Sequence, residues 1–388
     1  MKLSSRQKRL GTETAFETLA KAKKLEAQGK NVIHLEIGEP DFDSPKHVVT
    51  AAKKALDEGF THYGPSAGQP ELREAIAVHQ GEVNGYKISS DRVIVTPGAK
   101  PVMFFSILAL IERGDEVIYP NPGFPIYESM INYVGGTAVP MKLEESKNFN
   151  ANIDDLKKLI NDKTKMIIIN TPNNPCGSVT QIEDLEEIAK IAVENDIIVL
   201  SDEIYKDMYY QGEHYSITKF KGMKERTIIL DGFSKSYAMT GWRLGYGIFP
   251  EFMIDDITKL MTNSVSCTSV FSQMAAIAAL EGPKDFTLNM MEKFKIRRDI
   301  VVDGLNSIDG INCKTPLGAF YAFPNISGTG LSSSDFADIA LDNYGVALLS
   351  GTAFGDYGDN YIRISFANSD DNLREAIARL NRMITELK

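Results

Sequence analysis

The chain alternates short apolar runs with amphipathic stretches over most of its length. The apolar runs are rich in β-branched residues and end at turn-forming residues, which favours strands that are buried on both faces. They lie at residues 92–96, 116–119, 165–170, 197–201 and 227–231. Helical periodicity precedes or separates them, at residues 14–29, 45–59, 69–81, 101–112 and 182–194. This order predicts an α/β fold, with a largely parallel sheet between two layers of helices.

The last third of the chain has a different pattern. It predicts a long helix near residues 286–308, shorter strands at 319–323 and 361–366, and an amphipathic helix at 371–387. A length of 388 residues is enough for two domains. We therefore expect a large α/β domain of residues 46–285 and a smaller α+β domain of residues 286–388, which the amino-terminal segment 1–45 joins.

Charge and hydropathy narrow the classes of partner. The net charge of -10 makes nucleic acid a poor candidate partner, because an acidic surface repels phosphate. The chain has no apolar run long enough for a membrane-spanning helix. The first ten residues are basic and lack an apolar stretch, so we expect no signal peptide. Together these features predict a cytoplasmic protein that binds neither membranes nor nucleic acid.

Cysteines and histidines give no sign of a disulfide framework or a metal site. Cys176, Cys267 and Cys313 are far apart and odd in number, which fits a reducing compartment. The five histidines show no spacing that is typical of metal ligands, so we expect no metal.

Polar residues follow four of the predicted strands directly. In open parallel sheets, ligands bind outside the carboxyl ends of the strands. We therefore expect the four turns to converge on one crevice; they are Gly98-Ala99-Lys100, Asn173-Asn174-Pro175, Asp202-Glu203-Ile204-Tyr205 and Ser234-Lys235.

Two residues of these turns suit covalent chemistry with an aldehyde. Lys235 follows an apolar strand among small residues, where partial burial lowers an amine's pKa and makes it nucleophilic. Taken alone, this pattern also fits a lysine in a surface loop. Asp202 ends a run that should be buried, so it needs a cation such as a pyridinium nitrogen, or it caps a helix. Tyr205 lies three residues further on and could donate to a ring oxygen or simply pack.

Two arginines suit anion recognition. Arg243 lies eight residues after Lys235 and, with the turn at Gly98 and the helix that follows it, could bind a phosphate. Arg363 alternates with apolar neighbours on a predicted strand, so an inward-pointing guanidinium there requires a carboxylate. That carboxylate could belong to a ligand or to a structural salt bridge.

The chain resembles the aspartate-type aminotransferases, the class I/II, fold-type I enzymes that depend on pyridoxal phosphate. The resemblance runs from about Leu35 to Leu380. Six motifs occur in the family's order: Gly38-Glu39-Pro40-Asp41-Phe42, His62-Tyr63-Gly64-Pro65-Ser66-Ala67-Gly68, Pro172-Asn173-Asn174-Pro175, Ser201-Asp202-Glu203-Ile204-Tyr205, Ser234-Lys235 with Gly241-Trp242-Arg243, and Arg363-Ile364-Ser365-Phe366. The resemblance implies a mostly parallel, seven-stranded sheet in a three-layer large domain, beside a smaller α+β domain.

The resemblance also implies a role for each site residue. Lys235, Asp202 and Tyr205 would be catalytic: Lys235 bonds to the cofactor and moves a proton, Asp202 pairs with the ring nitrogen, and Tyr205 binds the phenolic oxygen. The remaining cofactor-binding residues would be Asn174 at that oxygen, Phe124 stacked on the ring, and Ala99, Lys100, Ser234 and Arg243 at the phosphate. Tyr63 would reach the phosphate from a neighbouring subunit, which implies a homodimer. The substrate carboxylate would be bound by Gly38, Asn174 and Arg363.

The predicted reaction is ping-pong transfer of an amino group from an L-amino acid to a 2-oxo acid. In some family members a lysine at the position of Lys100 is associated with a substrate's distal carboxylate, which would favour aspartate or another acidic or aromatic donor. Glu13 departs from those members and could repel an acidic side chain or neutralise Lys100. Two other functions remain open: a carbon–sulfur β-lyase that uses the same lysine and aspartate, and a non-catalytic regulator that binds pyridoxal phosphate.

Overall fold

The computed structural model describes residues 2–387. Met1, with which the basic amino-terminal stretch begins, and Lys388, the last residue of the predicted small domain, lie outside the described residues. The α-helices are α1 (Thr14–Ala27), α2 (Lys46–Asp57), α3 (Pro70–Asn84), α4 (Lys100–Leu110), α5 (Ile126–Val134), α6 (Ile153–Leu159), α7 (Ile182–Glu194), α8 (Ile254–Val265), α9 (Val270–Glu281), α10 (Asp285–Asn306), α11 (Ser333–Tyr344) and α12 (Asp370–Leu387).

The strands are shorter than the helices and fall into three sheets. They are β1 (Ile33–His34), β2 (Val93–Thr96), β3 (Glu116–Asn121), β4 (Thr137–Glu144), β5 (Asn150–Ala151), β6 (Thr164–Asn170), β7 (Ile198–Asp202), β8 (Thr227–Gly232), β9 (Gly245–Ile248), β10 (Tyr321–Ala322), β11 (Val346–Ala347), β12 (Leu349–Ser350) and β13 (Ile362–Ser365).

The largest sheet has the strand order β2-β9-β8-β7-β6-β3-β4-β5. Neighbours from β8 to β4 are parallel, whereas β9 is antiparallel to both β2 and β8. The mostly parallel sheet predicted from the sequence is therefore confirmed. The two-residue strand β5 adds an eighth, antiparallel edge strand to the seven that the resemblance implied.

Helices cover both faces of this sheet because successive strand residues point to opposite sides. In β6, Ile167 and Ile169 pack with residues of α7 in one apolar cluster. Met166 and Ile168, from the same strand, belong to a second cluster on the other face. The strand interior thus has no polar face, which explains why its sequence reads as a continuous apolar run.

The amino-terminal segment contacts the carboxyl-terminal third of the chain. Strand β1 pairs in parallel with β11, and β10, β13 and β12 form an antiparallel sheet. Lys21 of α1 forms ion pairs with Asp338 and Asp342 of α11 at 2.9 and 3.0 Å. The domain boundaries at residues 45/46 and 285/286 stay a prediction.

Within residues 2–387, no helix is both long enough and apolar enough to cross a bilayer.

Candidate active site

A cavity of about 900 Å³ opens where β6, β7 and β8 end. Its volume is in the range of pockets that enclose a cofactor together with a small substrate. All the site residues predicted from the sequence line it except Tyr63; they are Gly38, Ala99, Lys100, Phe124, Asn174, Asp202, Tyr205, Ser234, Lys235, Arg243 and Arg363. The crevice expected at the strand ends is therefore present.

Lys235 reaches the cavity from the turn that follows β8. Its ammonium group donates a hydrogen bond to the backbone carbonyl of Gly38. Burial lowers the pKa of Lys235 to about 8, with Arg363 and Lys100 acting in the same direction and Glu39 and Glu13 opposing it. A lysine with a lowered pKa is uncharged more often near neutral pH, and only the uncharged amine is a nucleophile.

Asp202, the last residue of β7, is a buried carboxylate in the same cavity. Its Oδ2 accepts a hydrogen bond of 2.5 Å from the hydroxyl of Tyr127, and its Oδ1 accepts one of 3.2 Å from the N–H of Ile204. Burial raises the pKa of Asp202 to about 6, although the bond from Tyr127 lowers it. A cation placed against this carboxylate would favour its charged form.

Tyr205 shares a buried hydrogen bond with Tyr321. The two hydroxyls are 2.8 Å apart, and the rings meet edge to face with centroids 5.8 Å apart. The ring of Tyr321 also lies beneath the guanidinium of Arg363, 4.6 Å from its central carbon. Tyr321 therefore connects the Tyr205 side of the cavity with the Arg363 side.

Glycines form a close-fitting cradle around Arg243. A side chain at Gly98 would place its Cβ 2.2 Å from the guanidinium nitrogen of Arg243, and one at Gly245 would lie 2.5 Å from the backbone nitrogen of Ala99. Helix α4 begins here, at Lys100, so its first N–H groups have no intrahelical partner. The buried Ser234 lines the same cavity. Together these groups form a site suited to a phosphate.

Arg363 is buried on β13. Its guanidinium donates to Asn174 Oδ1 at 3.1 Å and to the backbone carbonyl of Glu36. Its Nε is buried without a hydrogen-bond partner among residues 2–387. A buried guanidinium with an unused donor suits a ligand carboxylate better than a structural salt bridge.

The mouth of the cavity is formed by the residues around the start of α1. Lys100 forms an ion pair with Glu13, the residue immediately before α1. Its ammonium also lies 5.5 Å from the ring centroid of Phe124. Phe16, which is 60% exposed, lines the same region. The mouth therefore combines one ion pair with apolar rings.

Tyr63 does not join this group. Its side chain is 89% exposed and does not line the cavity. Its predicted role across subunits stays a prediction.

Among the cavity residues that were not found from the sequence, Tyr127 and Tyr321 contact the predicted site residues Asp202 and Tyr205 directly. Tyr127, in the first turn of α5, lies three residues after Phe124, and the two rings meet edge to face with centroids 5.6 Å apart. Tyr321 pairs with Ser365, two residues after Arg363 on the same face of β13. Spacing in the first case and strand register in the second were the only signals, and register is visible only in the folded chain.

Comparisons with known proteins agree with this geometry. The family "Aminotransferase class I and II" matches residues 30–380. An aspartate aminotransferase from Pyrococcus abyssi is 43% identical over 92% of this chain and 93% of its own length. The aromatic-amino-acid aminotransferase 2 of Thermococcus litoralis is 40% identical over 93% of this chain and 94% of its own.

A solved structure of the aspartate aminotransferase from Thermus thermophilus with maleate has the same fold. It is 35% identical, its TM-score is 0.95, and it covers 98% of this chain and 99% of its own. These relatives favour transamination over the β-lyase and regulator alternatives. The chain therefore belongs to the class I and II aminotransferases.

Proposed function

We propose that this enzyme binds pyridoxal phosphate at Lys235 and transfers an amino group from an L-amino acid to a 2-oxo acid by a ping-pong mechanism. The observation that carries the proposal is the pairing of two titratable groups in one cavity, the half-buried Lys235 and the buried Asp202. Lys235 has a pKa lowered to about 8, and Asp202 has a pKa raised to about 6. The lowered pKa of Lys235 increases the fraction of uncharged amine near neutral pH, and two perturbed pKa values in one cavity are typical of active sites.

The residues of the cavity fit this cofactor. Asp202 would hold the ring nitrogen, Tyr205 and Asn174 the phenolic oxygen, and Phe124 one face of the ring. The phosphate would be held by the backbone N–H groups of Ala99 and Lys100 and by the side chains of Ser234 and Arg243. The glycine cradle at Gly98 supports that assignment, because it leaves the Arg243 guanidinium and the α4 amino terminus within reach of one anion.

The cofactor supplies an electron sink that stabilises the charge left when the α-proton of the amino acid departs. Asp202 would lie against the ring nitrogen, and a protonated nitrogen there would favour the charged carboxylate. Lys235 would take the α-proton and later return it, because its amine has a lowered pKa and lines the cavity. Arg363 and Asn174 hold the substrate carboxylate, so that the reacting carbon has one fixed orientation.

Substrate, assembly and location belong to the same proposal. We infer an acidic or aromatic amino donor, because the relatives include both aspartate and aromatic aminotransferases. We infer a homodimer in which Tyr63 completes the phosphate site of the other subunit. The free thiols Cys176, Cys267 and Cys313 support a cytoplasmic location.

The test is to replace Lys235. Wild-type protein supplied with pyridoxal phosphate should carry a borohydride-stable label on the peptide that contains Lys235, and should convert donor and 2-oxo acid pairs. Lys235→Ala should lose the label and at least about 10²- to 10⁴-fold of turnover, which is the usual contribution of a proton-transferring side chain. Lys221→Ala, an exposed lysine outside the cavity, is the control. Turnover retained by Lys235→Ala would refute the proposal.

A further inference from the structure

We propose that Glu13 is a specificity-determining residue, which occupies Lys100 and thereby lowers the use of dicarboxylic substrates relative to aromatic ones. This inference rests on the proposed function, because it concerns the substrate side chain in that reaction. Under this proposal, a residue of the amino-terminal segment determines substrate specificity, and the residues at the strand ends catalyse the reaction.

The geometry begins with the position of Lys100. Lys100 starts α4, and its ammonium lies at the cavity mouth beside the ring of Phe124. Glu13 reaches it from the residue just before α1 and forms an ion pair. The Glu13 side chain is 18% exposed and that of Lys100 is 45% exposed, so the pair lies at the rim of the mouth, with its carboxylate on the inner side. A cation with a partly buried carboxylate partner is not free to bind a second one.

The other cations around the cavity are also engaged. Lys23 forms an ion pair of 2.9 Å with Glu26, its neighbour one turn along α1. Arg243 donates to the carbonyl of Thr240 at 2.8 Å and belongs to the phosphate cradle. Lys100 is the cation at the mouth of the cavity that a distal carboxylate could bind, provided that Glu13 does not occupy it.

The field of Glu13 extends into the reaction centre. Its carboxylate raises the pKa of Lys235, against the dominant effect of burial, and it acts in the same direction on Arg363. A charge that affects both groups also acts on a substrate bound between them. A second substrate carboxylate must therefore approach Glu13 against repulsion or displace it from Lys100, and either route costs binding free energy.

The side chain of an aromatic substrate carries no charge, so Glu13 does not repel it and it does not compete for Lys100. The walls near the mouth carry apolar groups, including Phe16, Leu19, Ile37, Met103 and Phe124. A ring placed among these groups buries apolar surface and leaves the pair of Glu13 and Lys100 intact. The same ion pair thus opposes one substrate class and is neutral toward the other.

The experiment measures the ratio of kcat/KM for aspartate to that for phenylalanine, with one 2-oxo acid acceptor. Glu13→Gln keeps the shape of the side chain and removes its charge. We expect this ratio to rise about tenfold, which corresponds to about 1.4 kcal/mol. Glu17→Gln is the matched control, because it makes the same charge change on α1 at an exposed residue that does not line the cavity. In a Lys100→Gln background, Glu13→Gln should raise the ratio less, because it then removes only the repulsion by Glu13 and frees no cation.

Binding of unreactive acids gives a second readout that does not depend on turnover. Succinate carries two carboxylates and butyrate carries one, and neither has an amino group to transfer. Calorimetric titration of the cofactor-bound enzyme should show succinate binding about tenfold more tightly to Glu13→Gln than to wild type, with butyrate binding unchanged. An unchanged succinate affinity, or an equal gain in the Lys100→Gln background, would overturn the inference.

Failure of this inference can be told apart from failure of the proposed function. Wild-type enzyme that transaminates both donors, with a ratio that Glu13→Gln leaves unchanged, would refute only the role of Glu13. Wild-type protein that transfers no amino group and takes no label at Lys235 would refute the proposed function.

Discussion

Tyr321 is the residue that joins the two halves of the cavity. Its hydroxyl lies 2.8 Å from that of Tyr205, and its ring lies beneath Arg363. The same hydroxyl is the reason for glycine at position 38, because a Cβ there would lie 2.1 Å from it. One side chain thus fixes a tyrosine on the cofactor side, an arginine on the substrate side and the backbone that faces Lys235.

Replacing Tyr321 by phenylalanine isolates the hydroxyl, since the ring beneath Arg363 remains. We expect Tyr321→Phe to lower kcat/KM about two- to tenfold for every donor, the effect of one hydrogen bond of ordinary strength. Steady-state kinetics with two donors measures this. Tyr344→Phe is the control, because that hydroxyl donates to Glu386 at 2.6 Å away from the cavity. Equal kinetics for wild type and Tyr321→Phe would show that Tyr205 needs no support from this hydroxyl.

At the scale of elements, the strands that carry the site were predictable from the sequence, and two other strands of the same sheet were not. β6, β7 and β8 are buried on both faces, so their sequences are unbroken apolar runs that end at polar residues. β4 contains Pro140 and has several partly exposed residues, which hides the strand pattern. β9 contains Gly245 and Gly247, which weaken any strand prediction made from composition.

The structure explains why β9 nevertheless needs its glycines. A Cβ at Gly245 would lie 2.5 Å from the backbone of Ala99, and one at Gly247 would lie 2.4 Å from the ring of Phe249. The contact at Gly245 joins segments that are distant in sequence, whereas Phe249 lies only two residues after Gly247. The motifs therefore sufficed to predict the residues at the strand ends, whereas Tyr127 and Tyr321 depend on how elements pack.

The contact between α1 and β1 includes a titratable residue, His34. His34, on β1, contacts Glu36 through Nδ1 at 2.8 Å and Glu26 of α1 through Nε2 at 3.1 Å. Burial lowers the pKa of His34, but the hydrogen bonds and charges of the two glutamates outweigh it and raise the pKa above 6.5. Only the protonated ring can donate to both carboxylates at once.

We therefore expect the stability contributed by His34 to be complete below about pH 6.5 and to be lost as the pH rises through the higher, folded-state pKa. Thermal unfolding of wild type and His34→Gln across about pH 5 to pH 9 measures this. The wild type should have the higher Tm at the acidic end, and the difference should shrink as the pH increases. A difference that grows with pH would mean that His34 is neutral in the folded protein.

At the scale of the whole molecule, the side chain of Tyr63 is exposed and lies outside its own cavity. The question is whether it completes the active site of a second subunit. If each subunit lends Tyr63 to its neighbour, mixing Lys235→Ala with Tyr63→Ala should create dimers with one fully native site. Random reassociation of equal amounts should then recover about one quarter of wild-type activity, more than either variant alone.

The control for this mixing experiment is Lys235→Ala with Arg243→Ala. Both residues line the same cavity of one chain, so their mixture leaves every site with a defect and should recover nothing. No recovery in the Tyr63 mixture would mean that Tyr63 serves its own subunit or no active site.

Two parts of the chain line the cavity: the strand ends supply the groups that react, and the start of α1 with the residue before it supplies Phe16 and Glu13 at the mouth. Chain ends tolerate sequence change far more readily than a buried sheet does. A few substitutions near the start of α1 could therefore change the substrate specificity of such an enzyme, while the catalytic residues at the strand ends stayed the same. The same division offers a protein engineer a small, separable target for retuning the enzyme.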